Sequence, residues 1–236
     1  MRTIVIIQAR ITSSRLPGKV LMNLGEMPVI AWCVRVALAI KGIDAVVVAT
    51  SDDPSDAAIE QWCAKNSVMC VRGPLNNVLA RYAMAARQAK ADIVMRLTCD
   101  CPLLDPAVCA EVVKLLKTND ANYASNITDP RSWPQGLDCE VFTAETLYRA
   151  ESEAHSDYDR EHVTPYIRTH PHYFKTHSLA CPTPGIGRQR WTLDTPKDLA
   201  FLSEVTQHLK ADSIPSYTDV LAVLHRFPNL QNTNPV

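Results

Sequence analysis

No block of like charges interrupts the 236 residues, and the formal net charge is −1. That argues against nucleic acid or an anionic membrane as the main partner, while leaving room for a local basic pocket. No apolar run approaches the length of a membrane span. The stretch after Met1-Arg2-Thr3 is too short for a secretory signal core, so a cytoplasmic protein is expected. The eight cysteines include no Cys-x-x-Cys pair, and the only close pair is Cys99-Asp100-Cys101, which disfavours zinc. They read as reduced packing thiols. No internal repeat and no linker-like composition occurs, so one domain over residues 1–236 is expected. Two common nucleotide loops are also missing. No Gly-x-Gly-x-x-Gly follows the first apolar run, which removes the usual dinucleotide reading. A Walker A loop would need glycine at Ser13 and a hydroxyl at Val20.

What is there begins at residues 4–19. The short run Ile4-Val5-Ile6-Ile7 reads as a strand buried on both faces of a parallel sheet. It ends in a polar loop carrying Arg10, Ser13, Ser14, Arg15 and Lys19. In such sheets ligands bind beyond the carboxyl ends of the strands, where this loop lies. Three cations, two hydroxyls and free backbone N–H groups suit a phosphate chain; the alternative is an ordinary basic surface turn.

The pattern that follows alternates strand and helix. Helices are expected at 28–41 (Pro28 in the first turn), 55–65 and 105–117, and strands at 44–50, 67–71 and 92–98. Asn76 or Asn77 is placed to cap a further helix in which Val78, Leu79, Tyr82, Ala83 and Ala86 share one face. Such alternation implies an α/β fold with a mostly parallel sheet between two helical layers, a Rossmann-like three-layer sandwich. With 47% of residues in the AVILMFWYC set, one core of that size can be filled. Beyond residue 122 the rhythm changes. Strands are expected at 137–142, 173–179 and 189–193, helices at 144–153, 196–209 and 217–225, a polar His-rich stretch at 156–172 and a frayed tail at 228–236. Residues 123–185 read as a small elaboration.

Two carboxylates stand out. Asp100 follows a buried strand, and Asp194 follows an expected one just before a helix. One Asp from each of two strand ends, facing a cationic loop, is an arrangement that would hold Mg²⁺ with phosphate oxygens and waters completing the octahedron. Taken singly, Asp100 also fits a turn and Asp194 a helix cap.

The segments Gln8-Ala9-Arg10 and Arg15-Leu16-Pro17-Gly18-Lys19 resemble the signature of the sugar-acid cytidylyltransferases, the ketodeoxyoctonate and acylneuraminate cytidylyltransferases among them. The likeness is greatest to the branch named for spore-coat polysaccharide biosynthesis. Further motifs match in order: Val48-Ala49-Thr50-Ser51, Arg72-Gly73 with Arg81-Tyr82, Thr98-Cys99-Asp100-Cys101-Pro102, Gly136-Leu137-Asp138-Cys139-Glu140, Arg160-Glu161-His162, and Arg190-Trp191-Thr192-Leu193-Asp194. The resemblance implies a nucleotide-diphospho-sugar transferase-like fold and transfer of CMP from CTP to an acidic sugar, with pyrophosphate released. It implies roles as well. Arg10, Ser13, Ser14, Arg15 and Lys19 would cradle the triphosphate, and Asp100 and Asp194 would hold Mg²⁺. Gln8, Ala9, Arg72 and Arg81 would serve base and ribose, although Arg81 also fits a solvated helix face. Asp138, Glu140, Arg160, Glu161, His162 and Arg190 would line the acceptor side, His162 orienting the acceptor or, as the alternative, acting as a general base. A homodimer using residues 123–185 is implied too. Asn77 and Cys99 stand where this branch usually has Asp and Gly, which leaves nucleotide preference open. Alternatives are a nucleotidyltransferase acting on a sugar phosphate or phosphonate, and a nucleotide-binding regulator without turnover. A glycosyltransferase would be expected to carry Asp-x-Asp, but Cys101 and Pro102 follow Asp100.

Overall fold

Strand β1 (Thr3–Gln8) lies inside a seven-stranded sheet, third from one edge, and Ile4, Val5, Ile6 and Ile7 are all fully buried. Successive side chains of a strand leave opposite faces, so this one run feeds two cores. Val5 and Ile7 join one apolar cluster, Ile4 and Ile6 the other. The computed structural model describes residues 1–210 and 213–231.

On one side of β1 lie β4 (Ala45–Ser51) and then β5 (Met69–Gly73), and on the other β6 (Ile93–Thr98); all four run parallel. A two-stranded hairpin, β2 (Asn23–Leu24) and β3 (Met27–Pro28), forms a separate small sheet. Beyond β6 come β8 (Glu140–Thr143), β7 (Tyr123–Ser125) and β9 (Thr176–Ser178). Only β8 runs against the rest, pairing antiparallel with both β6 and β7. The sheet is therefore mostly parallel, as expected, and residues 123–185 extend its edge.

Helices α1 (Val29–Leu38), α2 (Ala57–Lys65) and α4 (Pro106–Thr118) send their buried side chains into the cluster of Val5 and Ile7. Helices α8 (Pro196–Gln207) and α9 (Tyr217–Arg226) join them there. Helices α3 (Val78–Ala89) and α5 (Ala144–Glu153) cover the other face. On α3 the five residues expected to share a face are all buried, and Asn77 is the cap, its Oδ1 accepting from Ala80 N at 3.0 Å. A last short helix, α10 (Pro228–Gln231), occupies the start of the expected tail; residues 232–236 lie outside the described residues. None of the helices described is long and apolar enough to cross a membrane.

Four expectations are corrected. Pro28 precedes α1 as its N-cap instead of opening its first turn, because it already belongs to β3. Strand β8 starts at Glu140 and not at 137, since the Asn126 side chain takes the upstream bonds: it donates to Leu137 O at 2.6 Å and accepts from Cys139 N at 2.8 Å. The polar stretch 156–172 contains two short helices, α6 (Asp157–His162), capped by Ser156, and α7 (Pro165–Thr169). The expected strand at 189–193 is an extended crossing with a single bridge, Gln135 to Arg190. Its backbone passes so close to Gly136 that a Cβ there would lie 2.6 Å from Trp191 C. Leu193 N donates to Asp100 O at 2.8 Å, which lays the segment across the end of β6.

Candidate active site

Among the parallel strands the order is β5, β4, β1, β6, so the winding reverses between β1 and β6. Ligand sites in such sheets open at that reversal, beyond the carboxyl ends of the strands. A cavity of about 300 Å³ lies there, lined by Gln8, Ala9, Thr98, Cys99 and Asp100 from the two strand ends. The loop supplies Arg10, Ser13, Ser14, Arg15, Lys19 and Val20 to the same cavity; Val78 and Arg81 come from α3, Glu161 and His162 from α6, and Asp194 from the crossing segment.

The loop is held in shape by few bonds. Ser13 N and Gly18 N both donate to Ile11 O, at 2.8 and 2.9 Å. Gly18 sits at φ 73°, a left-handed turn that a side chain would strain, and there the chain enters the single helical turn Lys19–Leu21. Among the described residues the N–H groups of Ser14, Arg15 and Leu16 have no protein acceptor, so three donors are left for a ligand.

Sequence reasoning missed the anchor of this loop. Asp56 is fully buried; its Oδ1 accepts from Ile11 N at 2.7 Å, and its Oδ2 from Thr50 Oγ1, Ser51 N and Ser51 Oγ at 3.0, 3.0 and 2.5 Å. The signal was present in Thr50-Ser51 at the end of β4, whose hydroxyls need a buried acceptor. Replacing Asp56 by Ala would strand those donors, each unsatisfied buried group costing about 1–3 kcal/mol. We expect the urea midpoint to fall and residues 9–18 to gain hydrogen exchange; unchanged exchange in the loop would dismiss Asp56 as its anchor.

Lys19 sits at the centre of the charged groups and is almost buried. Its Nζ donates to Asp194 Oδ1 at 2.9 Å, to Asp100 Oδ2 at 3.0 Å and to Leu193 O at 2.7 Å. Burial pulls its pKa down, but the two carboxylates more than offset this and hold it above the ordinary lysine value. Asp194 also meets Arg15 at 3.2 Å and Arg190 at 2.6 Å. Burial favours its protonated form, yet Lys19, Arg190 and Arg15 prevail and its pKa is lowered. Arg190 in turn is held by Asp198, which closes a capping box with Thr195 at the start of α8.

Among the described residues no group of three or more His, Cys, Asp and Glu forms a metal cluster. The donor set nonetheless suits a hard divalent cation completed by phosphate oxygens, because two carboxylates converge at the cavity. Both oxygens of Asp194 already accept from cations, whereas among the described residues Oδ1 of Asp100 meets only Cys101 Sγ, at 3.5 Å. Asp100 therefore offers the freer oxygen.

The expected site residues divide into two groups. Gln8, Ala9, Arg10, Ser13, Ser14, Arg15, Lys19, Arg81, Asp100, Asp194, Glu161 and His162 meet in the cavity. Arg81 is no solvated helix residue: it is 1% exposed, and its Nη1 donates to Pro74 O and Leu75 O, both at 2.9 Å. Among the described residues its buried Nε has no hydrogen-bond partner, and burial lowers its pKa. The remaining five stand away from the cavity. Arg72 braces the turn after β4 through Ser51 O, Asp53 O and Glu60. Asp138 makes a two-bond pair with Arg131, and Arg190 is spent on Asp194 and Asp198. Glu140 is 2% exposed behind the cavity, paired with Arg96 and accepting from Tyr123 OH and Thr164 Oγ1, both at 2.6 Å. Arg160 lies on α6 but does not line the cavity. Of the two departures from the family pattern, Asn77 works as a helix cap and Cys99 is a buried part of the wall.

Residues 4–214 match a family model described as cytidylyltransferase. An uncharacterised protein of Methanocaldococcus jannaschii is 33% identical over 99% of this chain and 95% of its own length. The spore coat polysaccharide biosynthesis protein SpsF of Bacillus subtilis is 33% identical over 95% of this chain and 94% of its own. A solved cytidylyltransferase from Leptospira borgpetersenii superposes with a TM-score of 0.93 at 29% identity, covering 100% of this chain and 99% of that one.

Proposed function

The chain belongs to the cytidylyltransferase family, and from that premise we propose that it transfers CMP from CTP to an acidic sugar or related acceptor, releasing pyrophosphate. The observation that carries the proposal is the triangle of Lys19 Nζ, Asp100 and Asp194 beside the open amides of the loop. Its support is that both signs of charge lie side by side there, which a metal–triphosphate would require.

In this reading the acceptor hydroxyl attacks the α-phosphorus and forms a new P–O bond while the bond from that phosphorus to the oxygen bridging to the β-phosphate breaks. That oxygen leaves with the pyrophosphate, and the hydroxyl proton passes to solvent. Arg10, Arg15, Lys19 and the loop donors bind the triphosphate and offset the charge that grows on the departing pyrophosphate. Asp100 and Asp194 would hold Mg²⁺, which would supply Lewis-acid chemistry there, offsetting phosphate charge and making the attacking hydroxyl more acidic. Ala9, Val78 and Arg81 enclose the base end, and Glu161 and His162, at the outer wall, orient the acceptor. The likeness to a spore-coat polysaccharide protein supports a product destined for surface glycans.

A pyrophosphate-release assay with a panel of nucleotides and sugar acids tests the reading. Turnover with CTP is expected, and loss of it in Asp100→Ala and Asp194→Ala proteins that still melt cooperatively. Activity with GTP or UTP but none with CTP would overturn the cytidylyl assignment. A full rate in either variant would remove that residue from the metal site.

A further inference from the structure

Behind the base end of the cavity lies a buried network that the reaction as described does not use. Arg96, on β6, pairs with Glu140 on β8 and donates through Nη2 to Gln8 Oε1 at 3.3 Å. Glu140 is satisfied on its other oxygen by Tyr123 OH and Thr164 Oγ1. Burial would raise its pKa, and Arg96, Thr164 and Tyr123 more than reverse this, so the carboxylate stays charged and the guanidinium stays pinned.

A guanidinium has donors only. Whichever way an amide is drawn, Gln8 must therefore turn its oxygen to Arg96 and its NH₂ elsewhere. Gln8 lines the cavity, and among the described residues its Nε2 has no protein acceptor. Its neighbours there, Ala9, Val78 and Cys99, are each at most 3% exposed, a dry apolar niche that suits a flat ring. Arg81 lines the same cavity, its buried Nε without a partner among the described residues, so it too brings donors and no acceptor. Two donor-bearing side chains lining one cavity suit the adjacent acceptors of cytosine, O2 and N3. Uracil offers an acceptor at O2 but a donor at N3.

We infer that Gln8 selects cytosine over uracil by donating to the ring N3, and that Arg96 and Glu140 are positioning residues that deny the amide its alternative orientation. Glu140 thus serves the nucleotide from behind the wall instead of touching the acceptor. The inference rests on the cytidylyl reading above and deepens it to the choice of base.

Calorimetric titration of the intact chain with CTP and with UTP, both with Mg²⁺ and without acceptor, tests this without turnover. The wild-type chain is expected to favour CTP. In Gln8→Glu the carboxylate takes the bond from Arg96 and shows the base an acceptor only, so CTP affinity should fall roughly tenfold while UTP binds at least as well as before. The double variant Arg96→Met/Glu140→Gln removes both charges together and frees the amide to rotate. Its CTP-to-UTP ratio should fall by roughly fivefold or more, chiefly because UTP binding strengthens. A merely structural role would weaken both nucleotides alike. Should the double variant not fold, Gln8→Glu, which leaves the ion pair intact, decides. Variants that keep the wild-type ratio, or lose both nucleotides equally, overturn the inference. A wild-type chain without preference for CTP overturns the cytidylyl reading and the inference with it.

Discussion

Lys19→Met should lower the rate of pyrophosphate release by about three orders of magnitude, mostly in kcat. The side chain is 10% exposed, and its ammonium has three oxygen acceptors within 3.0 Å, so the surroundings fix its place in advance. A charge held there needs no reorganisation when the pyrophosphate leaves, and stabilisation present mainly in the transition state appears in kcat and only weakly in KM. The chain should stay folded, because Arg15 and Arg190 remain beside Asp194. Steady-state kinetics with CTP and a thermal melt check both halves. A rate within tenfold of wild type would mean that Lys19 serves the carboxylates and not the phosphates.

Glu140→Ala should cost about 3–5 kcal/mol of stability, the usual result of leaving one partner of a buried ion pair alone. Arg96 would lose its counter-charge, and Tyr123 and Thr164 their acceptor. The damage should spread to the outer wall. Thr164 follows Val163, a buried β-branched residue at φ 72°, where Thr164 N bonds back to His162 O at 2.8 Å. Such a tight turn is strained and persists only when its flanks are held. Denaturant titration measures the loss. Its pH dependence identifies the cause. The folded pKa of Glu140 lies below its ordinary value, so its contribution is complete above that value and is lost as pH falls through the folded one. The wild-type chain should therefore lose stability below the ordinary glutamate range, and Glu140→Gln should flatten that loss. An unchanged pH profile would show that the pair contributes little.

The parallel core of the fold was readable because its residues answer to short-range rules. Ile4 to Ile7 are apolar without a break, as a strand covered on both faces must be, and the apolar face of α3 repeats at helical spacing. The cationic loop was readable too, since Arg10, Ser13, Ser14, Arg15 and Lys19 lie within ten residues of one another. What was not readable was whatever depended on distant partners. Residues 189–193 look like a strand but cross the end of β6, because Gly136 lets the two backbones touch. Asp138, Glu140 and Arg190 were assigned to an acceptor by their motifs, yet each is engaged by another charged side chain. Asp56 went unnoticed because a carboxylate at the start of a helix looks like a cap, and only the folded chain brings Ile11 N onto it.

The sequence by itself determined the strand–helix alternation and the chemistry of the loop in residues 4–19, because periodicity and residue type act over a few positions along the chain. Tertiary structure alone decided which charges pair: Lys19 bridges Asp100 and Asp194, 81 and 175 positions away, and Arg96 reaches both Glu140 and Gln8. A buried charge takes the partner that lies within hydrogen-bond reach in space, and the chain does not announce that distance until the sheet has brought its strand ends together.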